Sequence, residues 1–413
     1  MNDQQFDSLR NDTSKTFCMA KFHEATIWLY SGKIASCHHN PFHAVGDTVD
    51  TFYNTTTKRS QQKLMLSGEK PDACNYCWKL ESQGLESDRF VKSKNYAEHL
   101  DANEYLNSSS NFKPKVLELA FQKTCNLACS YCNADFSTQW LNDIKTNGVY
   151  TNIVTDKRLH YQRPASDYVD NNVDTELFWT WLDEVVDGIS VIRITGGEPL
   201  LHEETFRLFD YVRSKNPNVE IAINSNLCQK ATVLERFKDK VQGLGNVTLY
   251  TSNESSNETA EFLRDGLIYS EWLTNLADVS AYTKSAYIMT TIGAISLQSL
   301  DTFILDIVKL REQTGNKITI GFNFLTFPEF QSFDCLSEGE LLFYFNKYSK
   351  FFNKHKLSLN EFEQEQFLRV LTLLQKPQHV NHLDLRIDAE SFFEQYTLRR
   401  AKPNNLISKI GKI

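Results

Sequence analysis

The sequence predicts an α/β protein in which helices cover a parallel β-sheet. From about residue 113 onward, short apolar stretches alternate with amphipathic helical stretches, which is the pattern of repeated βα units. Such units form a parallel sheet with helices on its outer face. Six strands are predicted at residues 116–121, 189–194, 219–224, 246–252, 287–292 and 317–323, with helices at 175–186, 203–215, 233–241 and 300–312.

The chain is predicted to consist of three segments. Residues 1–111 form a small Cys-rich α+β module and linker, residues 112–336 form the α/β core, and residues 337–413 form a helical extension. In the first segment, residues 27–37 predict a hairpin that turns at Gly32, and the polar run at residues 107–111 predicts the linker. The extension is expected to hold helices at 340–352, 361–374 and 389–398. Residues 142–172 are polar and turn-rich, which suits either a lid or a plain surface insertion.

Composition limits the classes of function. The 413 residues carry a formal net charge of −8, which argues against a nucleic acid partner bound through its phosphates. No apolar run approaches the roughly 18 residues that a membrane span needs, and the first residues lack a signal-peptide pattern. We therefore expect a cytoplasmic protein without a membrane partner. Seven of the nine cysteines fall into two groups, which in a long intracellular chain indicates metal sites.

Three cysteines follow the first predicted core strand. Cys125, Cys129 and Cys132 lie within eight residues, so their thiolates are expected on one loop at the carboxyl end of a strand. A closed zinc or cubane iron-sulfur site needs four ligands. Three thiolates can hold three irons of a 4Fe-4S cluster and leave the fourth iron open for a small molecule.

This spacing, with Tyr131 just before the last Cys, resembles the radical S-adenosylmethionine (radical SAM) superfamily. The resemblance implies that the three cysteines are the cluster ligands and that S-adenosylmethionine binds the open iron through its amino and carboxylate groups. Tyr131 is then expected near the adenine. The competing interpretation is a partial zinc site or three unrelated thiols.

A second motif follows the strand at residues 189–194. Gly196 and Gly197 allow the backbone to pass close to a ligand, and Glu198 beside them can accept hydrogen bonds from an amino group. By itself the motif Gly196-Gly197-Glu198-Pro199 is also an ordinary strand-to-helix turn. Its position after a three-Cys loop matches the superfamily's motif for the methionine amino group, so the resemblance implies that these four residues contact S-adenosylmethionine.

Polar residues end two further predicted strands. Asn224, Ser225, Asn226 and Ser252 lie where the resemblance implies contacts to the ribose or carboxylate of S-adenosylmethionine, although polar residues at strand ends are also common caps. Ser252 is the weaker assignment, because Ser252-Asn253-Glu254 departs from the Ser-x-Asp that many relatives show. Six βα units resemble the open (β/α)6 partial TIM barrel of the radical SAM core, with chemistry at the carboxyl ends of the strands.

The N-terminal module holds the second Cys group, which is Cys18, Cys37, Cys74 and Cys77. Four thiolates make a closed site, suited to structure or electron transfer. The stretch from Cys74 to Arg89 resembles the twitch-type auxiliary-cluster module of radical SAM proteins, which implies a second iron-sulfur cluster on these four residues. A structural zinc ion is the rival ligand, since zinc binds the same thiolates. His38, His39 and His43 lie near enough in sequence to replace one of them.

The resemblance implies reductive cleavage of S-adenosylmethionine to a 5′-deoxyadenosyl radical, which removes hydrogen from a substrate. A reductase such as flavodoxin or ferredoxin would supply the electron, and the auxiliary cluster would accept one from the substrate. Modification or oxidation of a peptide or protein is the leading interpretation. The alternatives are a dehydrogenase or epimerase of a sugar or nucleoside metabolite, and a non-catalytic metal-bearing binding protein.

No catalytic residue can be named from the sequence. Cys228 and Cys335 are expected to be free thiols, and the alternative is that one of them donates a hydrogen atom to the substrate.

Overall fold

The computed structural model describes residues 14–46, 49–82, 84, 86–95, 112–171 and 173–402. The predicted linker at residues 107–111 lies outside these residues. The described strands are β1 (Glu24–Trp28), β2 (Lys33–Ala35), β3 (His43–Ala44), β4 (Val116–Ala120), β5 (Ala128–Cys129), β6 (Val191–Thr195), β7 (Glu220–Asn224), β8 (Val247–Ser252), β9 (Arg264–Asp265), β10 (Ser285–Ile292) and β11 (Ile318–Phe324).

The described residues also form α-helices, several of which lie between these strands in the sequence. They are α1 (Met19–His23), α2 (Thr56–Leu66), α3 (Asn75–Ser82), α4 (Asp88–Asn95), α5 (Thr138–Asn147), α6 (Thr175–Val185), α7 (Glu203–Lys215), α8 (Ala231–Val241), α9 (Asn257–Leu263), α10 (Tyr269–Ser280), α11 (Leu300–Thr314), α12 (Glu338–His355), α13 (Glu361–Leu374) and α14 (His382–Arg400). Across the ranges that the structure describes, no helix combines the length and the apolar character needed to cross a bilayer.

The chain divides into two compact units. The first contains residues up to 122, 170–195 and 210–221; the second contains 123–169, 196–209 and the residues from 222 onward. This grouping does not follow the predicted boundaries at residues 111 and 336, so the three-segment division stays a prediction. The α/β class with parallel strands and interleaved helices is confirmed.

The first unit is built on a mixed sheet. Strand β4 pairs in parallel with β6 on one side and with β1 on the other, and β1 continues antiparallel to β2 and β3. The predicted hairpin is confirmed: β1 and β2 are joined through Gly32, whose φ of 59° suits glycine. The pairing of β1 with β4 was not predicted. It makes a strand of the Cys-rich segment a neighbour of the first core strand.

The second unit contains the other parallel strands. Strand β10 lies between β8 and β11, and both pairings are parallel. Alternate residues of β10 are buried, in the pattern of a strand covered on one face. Glu363, which is fully buried near the start of α13, accepts hydrogen bonds from Arg311 Nη1 at 3.0 Å and from the backbone N of Ile320 at 2.8 Å. These bonds fix α13 against α11 and β11.

Most predicted elements match within a few residues, and the differences have local causes. Helix α12 begins at Glu338 rather than at residue 340, because Ser337 and Glu340 form a reciprocal capping box. Seven of the described helices, α1 to α5, α9 and α10, have no counterpart among the predicted ranges. The apolar spacing of Tyr269, Trp272 and Leu276 on α10 was a readable signal for that helix. The last helix starts at His382, earlier than the predicted residue 389.

Residues 142–169 of the polar stretch belong to the second unit and pack against other parts of that unit. Tyr161 is fully buried, and the Asp388 carboxylate on α14 accepts hydrogen bonds from the backbone N atoms of Val154, at 2.9 Å, and Thr155, at 2.6 Å. Buried aromatic rings from this stretch, α5 and α14 form one cluster, which contains Trp140, Tyr150, Tyr161, Phe392 and Tyr396. This packing favours a fixed surface insertion over a lid.

Trp140→Ala tests the aromatic cluster. The Trp140 ring is fully buried, with its centroid 4.9 Å from that of Tyr161, and its Nε1 donates to the Cys129 carbonyl at 2.9 Å. We expect the free energy of unfolding to fall by about 3–5 kcal/mol, because the substitution leaves a large cavity and removes one of the hydrogen bonds to the Cys129 carbonyl. Urea unfolding followed by circular dichroism measures the change. Leu357→Ala, at a side chain that is 92% exposed, is the control; a similar small loss in both variants contradicts the prediction.

Candidate active site

The three-Cys loop lies in the second unit. Cys129 is on β5, which pairs antiparallel with β9, so that its backbone lies opposite Arg264. Burial raises the pKa of all three thiols above the ordinary value of 9, that of Cys125 to about 12, and the charge of a neighbouring thiolate adds to this for Cys125 and Cys132. Thiolates at these positions therefore need a cation, which a metal cluster supplies.

The Gly-Gly-Glu turn packs directly on the start of this loop. A Cβ atom placed on Gly197 would lie 2.3 Å from the carbonyl oxygen of Thr124 and 2.4 Å from that of Lys123. The backbone N of Glu198 donates to the same Thr124 carbonyl at 2.7 Å. Because only glycine permits this approach, the close contact explains why the sequence has glycine at 197. Gly196 has a φ of 118°, and Pro199 starts a short 3-10 turn.

The Glu198 side chain points into the protein and is fully buried. Its Oε1 accepts from Ser225 Oγ at 2.8 Å and from the backbone N of Leu200 at 3.1 Å, and its Oε2 accepts from the backbone N of Asn226 at 2.7 Å. Burial raises the pKa of the Glu198 carboxyl from 4.5 to about 7. Within the part of the chain that the structure describes, this carboxylate has no cationic partner, and three of its roughly four acceptor positions are used.

The residues after β7 join this turn to the three-Cys loop. Asn226 Nδ2 donates to Asn126 Oδ1 at 2.8 Å and to Cys125 Sγ at 3.8 Å. Asn126 Nδ2 in turn donates to the carbonyl of Cys228 at 2.6 Å. Cys228, which was predicted to be a free thiol, is free and lies beside this loop, where burial and then the charges of Glu198 and Cys129 raise its pKa.

A buried ion pair beside Tyr131 was missed by sequence analysis. Arg264 donates to Glu254 Oε2 through Nη2 at 2.7 Å, and the Tyr131 hydroxyl donates to the same oxygen at 2.9 Å. Arg264 Nη1 also lies 3.8 Å from Cys129 Sγ. Glu254 lies two residues after Ser252, which was the residue predicted to contact S-adenosylmethionine at this strand end. Among the described residues, the Ser252 hydroxyl makes no hydrogen bond to the three-Cys loop.

Several buried polar atoms near these strand ends lack partners in the described part of the protein. Native proteins pair nearly all buried polar atoms, so a group of unpaired ones indicates a ligand or ordered water. Ligands with amino, hydroxyl and carboxylate groups suit them. These atoms are Asn224 Oδ1, Asn253 Nδ2, Glu254 Oε1, Ser255 Oγ and Thr290 Oγ1.

Three aromatic side chains fix the backbone of the three-Cys loop. The Tyr396 hydroxyl on α14 donates to the carbonyl of Ala128 at 3.0 Å, Trp140 Nε1 donates to that of Cys129, and the Tyr161 hydroxyl donates to that of Ser130 at 2.7 Å. The loop therefore keeps its shape through contacts with residues up to 268 positions away. No local sequence signal identifies these donors.

The second Cys group lies in the first unit. Cys18, Cys74 and Cys77 are buried and Cys37 is half-buried. Cys18, Cys37 and Cys74 lie in one cluster with Met65 and Trp78. Burial, with the charge of Cys37, raises the pKa of the Cys18 thiol to about 12, and burial also raises the pKa of Cys74 and Cys77. Within the described residues, no three of these sulfur atoms all lie within 4.8 Å of one another.

Residues 119–307 match the Radical SAM superfamily. GTP 3',8-cyclase of Aliarcobacter butzleri (strain RM4018) is 23% identical over 168 residues, 41% of this chain and 43% of that protein. GTP 3',8-cyclase of Sulfurovum sp. (strain NBC37-1) is 23% identical over 123 residues, 30% of each chain. The chain thus matches less than half the length of either relative.

Among solved structures, SuiB of Streptococcus suis bound to S-adenosylmethionine is 12% identical, with a TM-score of 0.39 over 79% of this chain and 68% of that one. Native anSMEcpe with bound AdoMet is 15% identical, with a TM-score of 0.36 over 59% and 61%. The superfamily match, by contrast, covers the three-Cys loop, the Gly-Gly-Glu turn and the strands from β6 to β10. This match supports a radical SAM superfamily domain over residues 119–307, and the superfamily indicates an enzyme.

Proposed function

We propose that this chain binds a 4Fe-4S cluster through Cys125, Cys129 and Cys132 and cleaves S-adenosylmethionine reductively. When bound, the cluster supplies the one-electron chemistry that generates a 5′-deoxyadenosyl radical. The observation that carries the proposal is the contact of Gly197 and Glu198 with the backbone of Thr124, next to the first Cys. It brings a buried carboxylate with a free acceptor position to a loop of three thiols.

The chain's own residues are assigned roles from their contacts. Glu198 has acceptor capacity left for the methionine amino group, while the Ser225 hydroxyl, which donates to it, positions that carboxylate. Asn224, with an unpaired buried oxygen, is the stronger candidate for a direct ribose or carboxylate contact, with Asn226 beside Cys125. Tyr131 is held by Glu254, and we keep it as the adenine contact. Ser252 stays a weaker candidate.

We propose that Cys18, Cys37, Cys74 and Cys77 hold an auxiliary iron-sulfur cluster. The support is that Cys18, Cys37 and Cys74 belong to one buried cluster and that residues 74–89 resemble the auxiliary-cluster module. A zinc ion binds the same four thiolates and is the alternative to an iron-sulfur cluster. Such a cluster suits an electron-transfer role, with a flavodoxin or ferredoxin as the reductant of the enzyme.

We propose a peptide or protein as the substrate class, oxidised or cross-linked with the auxiliary cluster as electron acceptor. The support is the combination of an open three-Cys site with a closed four-Cys site in one chain. A second candidate, a nucleoside or nucleotide substrate, is favoured by the two GTP 3',8-cyclase relatives. Product analysis with peptide mixtures and with nucleotides separates the two.

Cysteine variants test the proposed chemistry. After anaerobic reconstitution we expect about eight irons per chain, about four in Cys74→Ala/Cys77→Ala, and 5′-deoxyadenosine from both proteins when a reductant is present. Cys129→Ser is expected to lose 5′-deoxyadenosine formation entirely. Cys335→Ser, which removes another buried thiol of the same unit, is the control and should behave as wild type. Formation of 5′-deoxyadenosine by Cys129→Ser at the wild-type rate would contradict the assignment.

The variant Glu198→Gln tests whether this carboxylate binds S-adenosylmethionine or only stabilises the fold. The folded-state pKa of about 7 exceeds the ordinary 4.5, so wild-type stability is lost as pH rises through this interval. Relative to wild type, the cluster-free variant should therefore gain up to about 3 kcal/mol of unfolding free energy between pH 5 and pH 8. Its affinity for S-adenosylmethionine after reconstitution should fall at least about tenfold, since it loses a charge-assisted hydrogen bond.

Thermal unfolding at both pH values and calorimetric titration with S-adenosylmethionine measure these two effects. Glu258→Gln, at an exposed residue of α9, is the control and should change neither. Unchanged affinity for S-adenosylmethionine in Glu198→Gln would show that this carboxylate serves the fold alone.

A further inference from the structure

A group of three metal-binding side chains lies outside both Cys sites. The potential ligand atoms of His38, His39 and Asp88 all lie within 4.8 Å of one another, and no other group of three or more His, Cys, Asp or Glu residues in the described chain meets this condition. The Nε2 atoms of His38 and His39 lie 3.3 Å and 2.7 Å from the same carboxylate oxygen, Asp88 Oδ2. Two ligands bound at about 2.1 Å to one tetrahedral ion lie roughly 3.4 Å from each other. The 3.3 Å separation of His38 and Asp88 fits this value, and the 2.7 Å hydrogen bond between His39 and Asp88 would lengthen by less than about 1 Å when an ion binds.

Different parts of the first unit hold these ligands. His38 and His39 follow β2, whereas Asp88 is the first residue of α4, 49 positions after His39. The His39 ring is stacked on Tyr76, with a centroid distance of 4.0 Å and an interplanar angle of 19°. Tyr76 is on α3, the helix that carries Cys77 and directly follows Cys74, so the His39 ring packs on an element next to two thiols. The three donors are thus preorganised by separate elements.

The chemistry of the ligands selects the ion. Two imidazoles and one carboxylate favour borderline first-row cations such as Zn²⁺ over Mg²⁺ or Ca²⁺, which prefer oxygen ligands alone. The side chains of His38 and Asp88 are 43% and 40% exposed, so a bound ion keeps positions open to solvent or a small ligand. A three-ligand site with an open position differs from the closed four-thiol site.

We propose that His38, His39 and Asp88 bind one divalent transition-metal ion, with Zn²⁺ as the reference cation, separately from the neighbouring Cys ligands. The site provides a Lewis-acidic position at the surface of the first unit, able to take a water molecule or an anionic group as its further ligand. Neither the radical chemistry nor the auxiliary cluster requires it, so it stands independently of the function proposed above.

Zinc titration of the tag-free, full-length protein tests this site. The protein is first reconstituted anaerobically, so that the Cys residues are occupied, and is then titrated with Zn²⁺ in competition with a chromophoric chelator. We expect one equivalent to bind, with X-ray absorption showing nitrogen and oxygen ligands without sulfur. His39→Ala and Asp88→Asn should each weaken binding at least tenfold while keeping the wild-type iron content. His43→Ala, at a half-buried histidine on β3, should bind as wild type.

Three results would overturn the proposal. These are equal zinc affinity in wild type and both variants, sulfur in the coordination shell of the added ion, and loss of iron in His39→Ala or Asp88→Asn. The second result would place the ion on the thiols, and the third would make these residues part of the auxiliary site. His38→Gln provides an additional variant if Asp88→Asn does not fold.

Discussion

The close approach of Gly197 to the carbonyls of Lys123 and Thr124 is the constraint on which the candidate site depends. With a backbone contact this short, the turn that carries Glu198 has one position relative to the loop that carries the thiols. Glu198 then connects to Ser225 and Asn226, and Asn226 connects to Asn126 and the sulfur of Cys125. The ends of separate strands are thereby joined in one network, and a single Cβ atom at position 197 would disturb all of it.

Rigidity of the three-Cys loop comes from elsewhere in the second unit. Trp140, Tyr161 and Tyr396 donate to three successive carbonyls of the loop, and the Glu254–Arg264 pair holds Tyr131 and lies against Cys129. A metal centre benefits from ligands whose orientation is fixed by such outer contacts. The C-terminal helix α14 belongs to this support, so it is more than an extension of the core.

The parts of the candidate site that could be predicted from the sequence are those marked by short local motifs. The spacing of Cys125, Cys129 and Cys132 and the Gly-Gly-Glu turn are short motifs, and the strands that precede them have clear apolar signals. Glu254, Arg264 and Tyr396 could not be found in this way, because a charged or aromatic residue on a helix or at a strand end looks the same whether or not it meets the loop. The parallel pairing of β1 with β4 was missed for the same reason, since pairing across a long separation leaves no local pattern.

The electron paramagnetic resonance spectrum of the reduced, reconstituted protein, recorded with and without S-adenosylmethionine, tests the central claim most directly. If Cys125, Cys129 and Cys132 hold a cluster with an open iron, S-adenosylmethionine should change the spectrum of the Cys74→Ala/Cys77→Ala variant, in which only this cluster remains. Addition of Gly197→Ala should abolish that change. A spectrum that stays the same on addition of S-adenosylmethionine, at about four irons per chain, would contradict the account.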